Sequence, residues 1–125
     1  MGYRSDVRIA TTREAYEDIC DIVDSKSESV FSPGQLMGRS VTPAYFDEED
    51  DTVVFGWDSV RWNEGLFADV TNVMLAVDEV IANGYPLEFC RVGEEMGDIE
   101  FRSENGIDSL TLHIYTDTTI EIAYA

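Results

Sequence analysis

Twice along this chain a stretch with a two-residue hydrophobic period passes into one with a 3.6-residue period. A strand that alternates apolar and polar residues buries one face, and an amphipathic helix buries one stripe. The two can share a core only by packing as layers. "YRSDVRIATT" alternates Val7 and Ile9 with polar neighbours and reads as a half-buried strand. "TTREAYEDICDIVDS" then sets Ala15, Ile19, Ile22 and Val23 on one helical face, with Glu14, Glu17, Asp18, Asp21 and Asp24 over the rest. Thr11 followed by Glu14 has the spacing of a capping box. "TVVFGWDSVRW" is the second strand, with Val53, Phe55 and Trp57 on one side and Gly56 marking a bulge or a close backbone approach. "FADVTNVMLAVDEVIANG" is the second helix. Its stripe is Phe67, Val70, Val73, Met74, Val77 and Ile81, and Asn83-Gly84 is its stop.

Three strands follow in "LEFCRVG", "DIEFRSE" and "SLTLHIYTDTTIEIAY". The last is long enough to be two strands, or one bulged about Thr116–Thr119. This order predicts an α+β fold: a mainly antiparallel sheet of about five strands with two helices packed on one face. A Ser/Gly/Pro-rich stretch over about 25–51 reads as a long irregular connection. Loops of that length are functional or hide short structure, and Phe31, Leu36 and Met37 could tuck a turn against the core. The 125 residues make one domain, 1–125, with no internal repeat.

Charge is the outlying property. Twenty-six Asp and Glu oppose eight Lys and Arg, for a net charge of −18, and Lys26 is the only lysine. A chain this acidic is repelled by nucleic acid and by anionic membranes, so neither is a direct partner. A basic protein partner, a divalent cation, or an adaptation to salt or solubility remains. No apolar run approaches the ~18 residues of a membrane span, and "MGYRSDVRIA" lacks a signal peptide's apolar stretch, which predicts a soluble, cytoplasmic protein. Cys20 and Cys90 have no metal-type spacing and read as two buried reduced thiols; a disulfide between them is allowed but not required.

Signatures of catalysis are missing from the sequence. His113, the one histidine, alternates with Leu112 and Ile114 in a strand and reads as a sheet-face residue. No serine sits in a nucleophile elbow, and "GEEMGD" puts acids where a phosphate loop would bind its anion. "DEEDDTVVFG" lacks the spaced oxygen ligands and central glycine of a calcium loop. The expectation is therefore no catalytic residue, no resident metal and no cofactor.

The opening "GYRSDV" resembles that of a family of small phage and prophage proteins that begin Met-Gly-Tyr-Arg-Ser followed by an acid. Trp57, Asp58 and Trp62 fit that family's Trp-Asp-x-x-x-Trp pattern. Arg91, Val92, Gly93, Glu94 and Glu95, followed by Asp98, Ile99 and Glu100, also look like it, as does the closing "LHIYTDTTIEI". The resemblance spans nearly the whole chain and departs most in the middle connection. It implies a phage or mobile-element origin and a location in the cytoplasm of a bacterial host. It offers no agreed activity.

Asp47, Glu48, Glu49, Asp50 and Asp51 precede a core strand with no cation among them. Five carboxylates cannot be buried together, so they must project into solvent from a loop or strand end. Joined to the first helix's acidic face and to Glu94, Glu95, Asp98 and Glu100, they would form one negative surface able to imitate a nucleic-acid backbone. Trp57 and Trp62, five apart, should point to opposite faces of a regular strand, leaving Trp62 as a candidate interface anchor. By analogy with anti-CRISPR proteins, the expected role is non-enzymatic inhibition of a basic host defence protein, a CRISPR effector being the leading candidate, by a monomer or homodimer. The alternatives are an accessory or assembly module oligomerising through a sheet edge, and a small metal-dependent hydrolase.

Overall fold

The structure is a computed structural model that describes residues 3–29, 35–62, 68–106, 111–114 and 119–123. Its elements run β1 (Ser5–Thr12), α1 (Arg13–Ser29), β2 (Tyr45–Glu49), β3 (Thr52–Val60), α2 (Ala68–Ala82), β4 (Leu87–Gly93), β5 (Ile99–Glu104), β6 (Leu112–Ile114) and β7 (Ile120–Ile122). Five of the strands form one sheet in the order β2-β3-β1-β4-β5, every neighbouring pair antiparallel. Leaving out β5, this is the split β-α-β pattern used twice, with β1 at the centre. Such a layout serves many functions and names none.

Val7, Ile9, Val53, Phe55, Trp57, Leu87 and Phe89 form the sheet's contribution to the main core, facing Ala15, Ile19 and Val23 of α1 and Val70, Val73, Val77 and Val80 of α2. Both helices therefore pack on one face, as the periodicities imply. The opposite face buries Ala10, Val54, Cys90 and Val92 beneath Leu112, with Ile114, Ile120 and Ile122 packed against them. The C-terminal strands thus form a separate two-stranded sheet lying across the back of the first. Cys20 belongs to the helix-side core and Cys90 to the other, so the sheet separates them, and both are free thiols.

Several local expectations change. Thr12, not Thr11, caps α1: the Ala15 N–H donates to Thr12 Oγ1 at 3.2 Å, while the Thr11 hydroxyl donates to the Pro86 carbonyl at 2.7 Å. The irregular connection is shorter than 25–51, because α1 continues to Ser29 and the acidic run is itself strand β2. The sheet reaches five strands through β2, not through the C-terminal segment. Gly56 is the close approach anticipated: a Cβ there would lie 1.9 Å from the Val7 carbonyl oxygen of the neighbouring strand. Gly84, at φ 93, ends α2, and the Tyr85 N–H donates to the Val80 carbonyl at 3.1 Å. Met37 is fully buried and Leu36 packs against the core, its carbonyl accepting the Trp57 indole N–H at 3.1 Å. Phe31, Phe67 and Thr116 lie outside the described residues.

Candidate partner-binding surface

The acidic run occupies one outer strand and its turn. β2 pairs with β3 from Tyr45↔Gly56 to Glu49↔Thr52, so only Asp50 and Asp51 remain to close the hairpin. Asp50 takes φ 55, a left-handed conformation that aspartate tolerates better than most residues. Asp47, Glu48, Glu49, Asp50 and Asp51 are all exposed. A strand paired on one side only can carry acids on both of its faces, so no polar side chain needs burying.

Arg13 joins this hairpin to α1. Its N–H donates to the Asp51 carbonyl at 3.0 Å, and its guanidinium reaches Glu48 at 2.7 Å and Glu17 at 3.2 Å. Beyond it, Arg39 grips Asp21 through two hydrogen bonds of 2.6 and 3.0 Å and holds that carboxyl below the usual carboxylate range. Asp24 accepts from the Gln35 amide at 2.8 Å and the Arg39 N–H at 3.0 Å, which ties down the segment returning from α1. Phe46 and Phe55 meet the Tyr16 ring edge-on, at 5.4 and 5.1 Å between centroids, so the hairpin is seated on the helix by its aromatic side. The result is one surface from Asp47–Asp51 across Glu17 to Asp21.

Glu94, Glu95 and Asp98 do not join it. The β2–β3 turn adjoins the Thr12 end of β1, whereas the turn holding these three adjoins the Ser5 end, through Ser5↔Gly93. Seven residues of strand separate the two ends, roughly 23 Å, and the turns also lie on opposite edges of the sheet. The charge of Asp98 is also paired, by Arg91 of β4. Asp98 accepts from Arg91 at 2.8 and 3.2 Å and from the Tyr3 hydroxyl at 2.6 Å, and the Arg91 guanidinium, with Tyr3 second, holds it below the usual range. Glu94 accepts from the Arg4 N–H, the Glu95 N–H donates to Tyr3, and Arg91 also reaches Glu100 at 3.1 Å. A Cβ at Gly93 would fall 2.0 Å from Asp98 Oδ2, which is why this network needs glycine there. It fastens the N-terminal residues to the β4–β5 turn.

Trp62 also has a different place from the one its spacing suggests. The register between β1 and β3 slips between Ser5 and Val7, and Ser59 at φ 53 lies in the slip. This changes the phase, and Trp62 comes round to the helix side with Trp57. The rings stack at 5.4 Å, and Trp62 tilts over Phe89 at 6.2 Å. Its indole closes the margin of the core.

A residue that carries structural weight and has only a faint sequence signal is Glu88, 1% exposed on the back of β4. One carboxylate oxygen accepts the Thr111 N–H at 2.9 Å and the Leu112 N–H at 3.1 Å, pinning the C-terminal hairpin to the sheet. The signal was there: a period of two places Glu88 on the face of Cys90 and Val92.

Two clefts share Asp6. One, of about 460 Å³, is lined by Arg4, Ser5, Asp6, Ser59, Val92, Gly93 and Glu94; the other, of about 270 Å³, by Asp6, Arg8, Asp58, Thr119 and Ile120. Their polar groups are paired internally: Asp6 accepts the Ser59 N–H at 2.9 Å, Arg8 bridges to Asp58 at 2.9 Å, and Arg8 also lies 4.1 Å above the Tyr45 ring. His113 lines neither and sits opposite Glu121 in the small sheet. Among the described residues no three His, Cys, Asp or Glu side chains are gathered as metal ligands. No described helix is long and apolar enough to cross a membrane. No protein-family model matches the chain, nor does any curated protein or solved structure.

Proposed function

We propose that this protein is a non-enzymatic inhibitor whose acidic hairpin and adjoining helix occupy the nucleic-acid site of a basic host protein. The observation that supports the reading is the exposure of Asp47, Glu48, Glu49, Asp50 and Asp51 on one edge strand and turn, continued by Glu17 and Asp21 of α1, with Arg13 bonded to Glu48 and Glu17 and Arg39 to Asp21. Same-face side chains two apart on a strand stand roughly 6.5–7 Å apart, and helical neighbours about 5–6 Å. Both spacings resemble that of successive phosphates along one strand. Carboxylates in such rows take bidentate contacts from arginine and suit a groove lined for a nucleic-acid backbone. The resemblance of the opening and the Trp-Asp-x-x-x-Trp segment to phage proteins makes a bacterial defence protein, a CRISPR effector first, the partner to try.

The test is displacement of fluorescently labelled target DNA from purified, guide-loaded effectors. Wild-type protein should displace it. Lysine at Asp47, Glu49 and Asp51 together should abolish displacement, and Glu94→Lys with Glu95→Lys should leave it intact. Equal potency of the hairpin variant and wild type would reject the surface.

A further inference from the structure

The two edges of the main sheet differ in kind. β2 is shielded by its carboxylates, and an antiparallel pairing of β2 with itself centred on Asp47, Glu48 or Glu49 opposes acid to acid. β5 carries Ile99 and Phe101, 39% and 41% exposed, and the turn before it presents Met96 at 98%. Among the described residues no strand pairs with the outer side of β5.

The direction of its main-chain groups is fixed by the ladder. The Gly93 N–H donates to the Asp98 carbonyl at 2.8 Å, and the register continues without a shift from Val92↔Ile99 to Leu87↔Glu104. In an antiparallel ladder, residues alternate between turning both groups toward the partner and turning both away. Asp98, Glu100, Arg102 and Glu104 therefore face β4, while Ile99, Phe101 and Ser103 offer their N–H and C=O outward. A two-fold axis joining two copies can pass through one of those three residues or through the residue between two of them. Centred on Phe101, it sets Phe101 against its own copy, Ile99 against Ser103, and Glu100 against Arg102, twice. Centred on Glu100 or on Arg102 it sets that charge against its own copy; centred on Ile99 it opposes Glu100 to Asp98, and centred on Ser103 it leaves Ile99 unpaired. Within Ile99–Glu104 only the Phe101 register sets Phe101 against an apolar residue without opposing like charges; Glu100 also bonds Arg91, and Arg102 also bonds Asp78 and Glu104, within each copy.

We propose that β5 joins two copies of this chain edge to edge about Phe101, making one continuous sheet with up to about six new main-chain hydrogen bonds. The acidic hairpins then lie at the two far edges, so a dimer offers its proposed binding surface twice. Each copy carries a charge of −18. Association is consequently opposed at low salt and strengthens as salt screens the repulsion. A complex held by the acidic face against a basic partner has the opposite salt response.

Sedimentation equilibrium of the wild-type chain at low salt and in about 0.5 M KCl, where the Debye length is only ~4 Å, reads this directly. The dimer fraction should rise with salt. Ser103→Pro removes an outward donor while leaving the bonds to β4, and should weaken association roughly 10–100-fold. Phe101→Lys should leave a monomer. Arg102→Glu should weaken the dimer more than Arg61→Glu, which makes the same change in net charge on an exposed residue outside β5. Circular dichroism establishes that each variant is folded. A wild-type monomer at every salt concentration overturns the proposal, as does a dimer insensitive to Ser103→Pro and Phe101→Lys. The lysine-substituted hairpin should still dimerise, so failure of the proposed function and failure of this dimer are separable.

Discussion

Replacing Glu88 by alanine should undock the C-terminal hairpin. The carboxylate is almost fully buried and its Oε1 accepts two main-chain N–H groups, from Thr111 and Leu112, at 2.9 and 3.1 Å. Hydrogen bonds to a charged acceptor contribute about 1.5–3 kcal/mol each, and a buried donor left unpaired costs about 1–3 kcal/mol. Two such losses give roughly 3–6 kcal/mol. The hairpin has an escape, however. It packs through Leu112, Ile114, Ile120 and Ile122, and once the loss exceeds the free energy of that docking it opens locally and the global cost stops growing. Urea unfolding of Glu88→Ala should therefore fall by about 2–4 kcal/mol, with amide exchange at Leu112 accelerating more than at Ile9 in the central strand. Glu88→Gln keeps one carbonyl acceptor and should lose about 1–2 kcal/mol. At roughly 4 °C per kcal/mol for a chain of this size, the alanine variant melts about 8–16 °C lower. A loss under about 1 kcal/mol with unchanged exchange at Leu112 would refute the clamp.

Gly56→Ala forces a methyl into the Val7 carbonyl at the centre of the sheet and should cost about 3 kcal/mol or more, or prevent folding; a melting temperature within a few degrees of wild type would contradict that close approach. Burial pushes the Cys90 thiol up to about 11 and raises Cys20 as well, so neither should react with a thiol reagent at pH 8 until the chain unfolds, when both should; a fast native-state reaction would mean that one is accessible. Asp98 is held below its ordinary value by Arg91 and Tyr3, so its contribution is fully present above the unfolded carboxylate range and is lost as pH falls through the lowered value, below about 4. Arg91→Met should accordingly be less stable than wild type at pH 7 and draw closer to it in urea titrations as pH falls below the ordinary carboxylate range; a gap independent of pH would place the role of Arg91 in packing alone.

Strands and helices whose faces are unequally buried were legible from periodicity. Val7 and Ile9, Val53 to Trp57, and the α2 stripe from Val70 to Val77 all lie where a period of 2 or 3.6 puts them. Gly56 and Gly84 were legible because backbone geometry leaves few residues for those positions. β2 was hidden because an edge strand with no buried charge to hide shows no alternation: Asp47, Glu48 and Glu49 are exposed on both of its faces. The phase of Trp62 was hidden by the register slip at Ser59, which nothing in "WDSVRW" announces. The division of the acids into two groups depends on strand order. Distance along the chain does not reveal that the turn after β4 and the turn after β2 adjoin opposite ends of β1. Likewise, the Arg91–Asp98–Tyr3 network joins residues 95 apart, a pairing visible only once β1 lies beside β4.

The salt dependence of binding to the guide-loaded effector tests the central claim most directly, comparing wild type with the triple lysine variant of Asp47, Glu49 and Asp51. If the hairpin and α1 replace a nucleic-acid backbone, the logarithm of the wild-type association constant falls steeply with the logarithm of salt concentration, and the variant's residual binding shows a much shallower slope. Parallel slopes of equal height would contradict the account, because those carboxylates would then lie outside the contact.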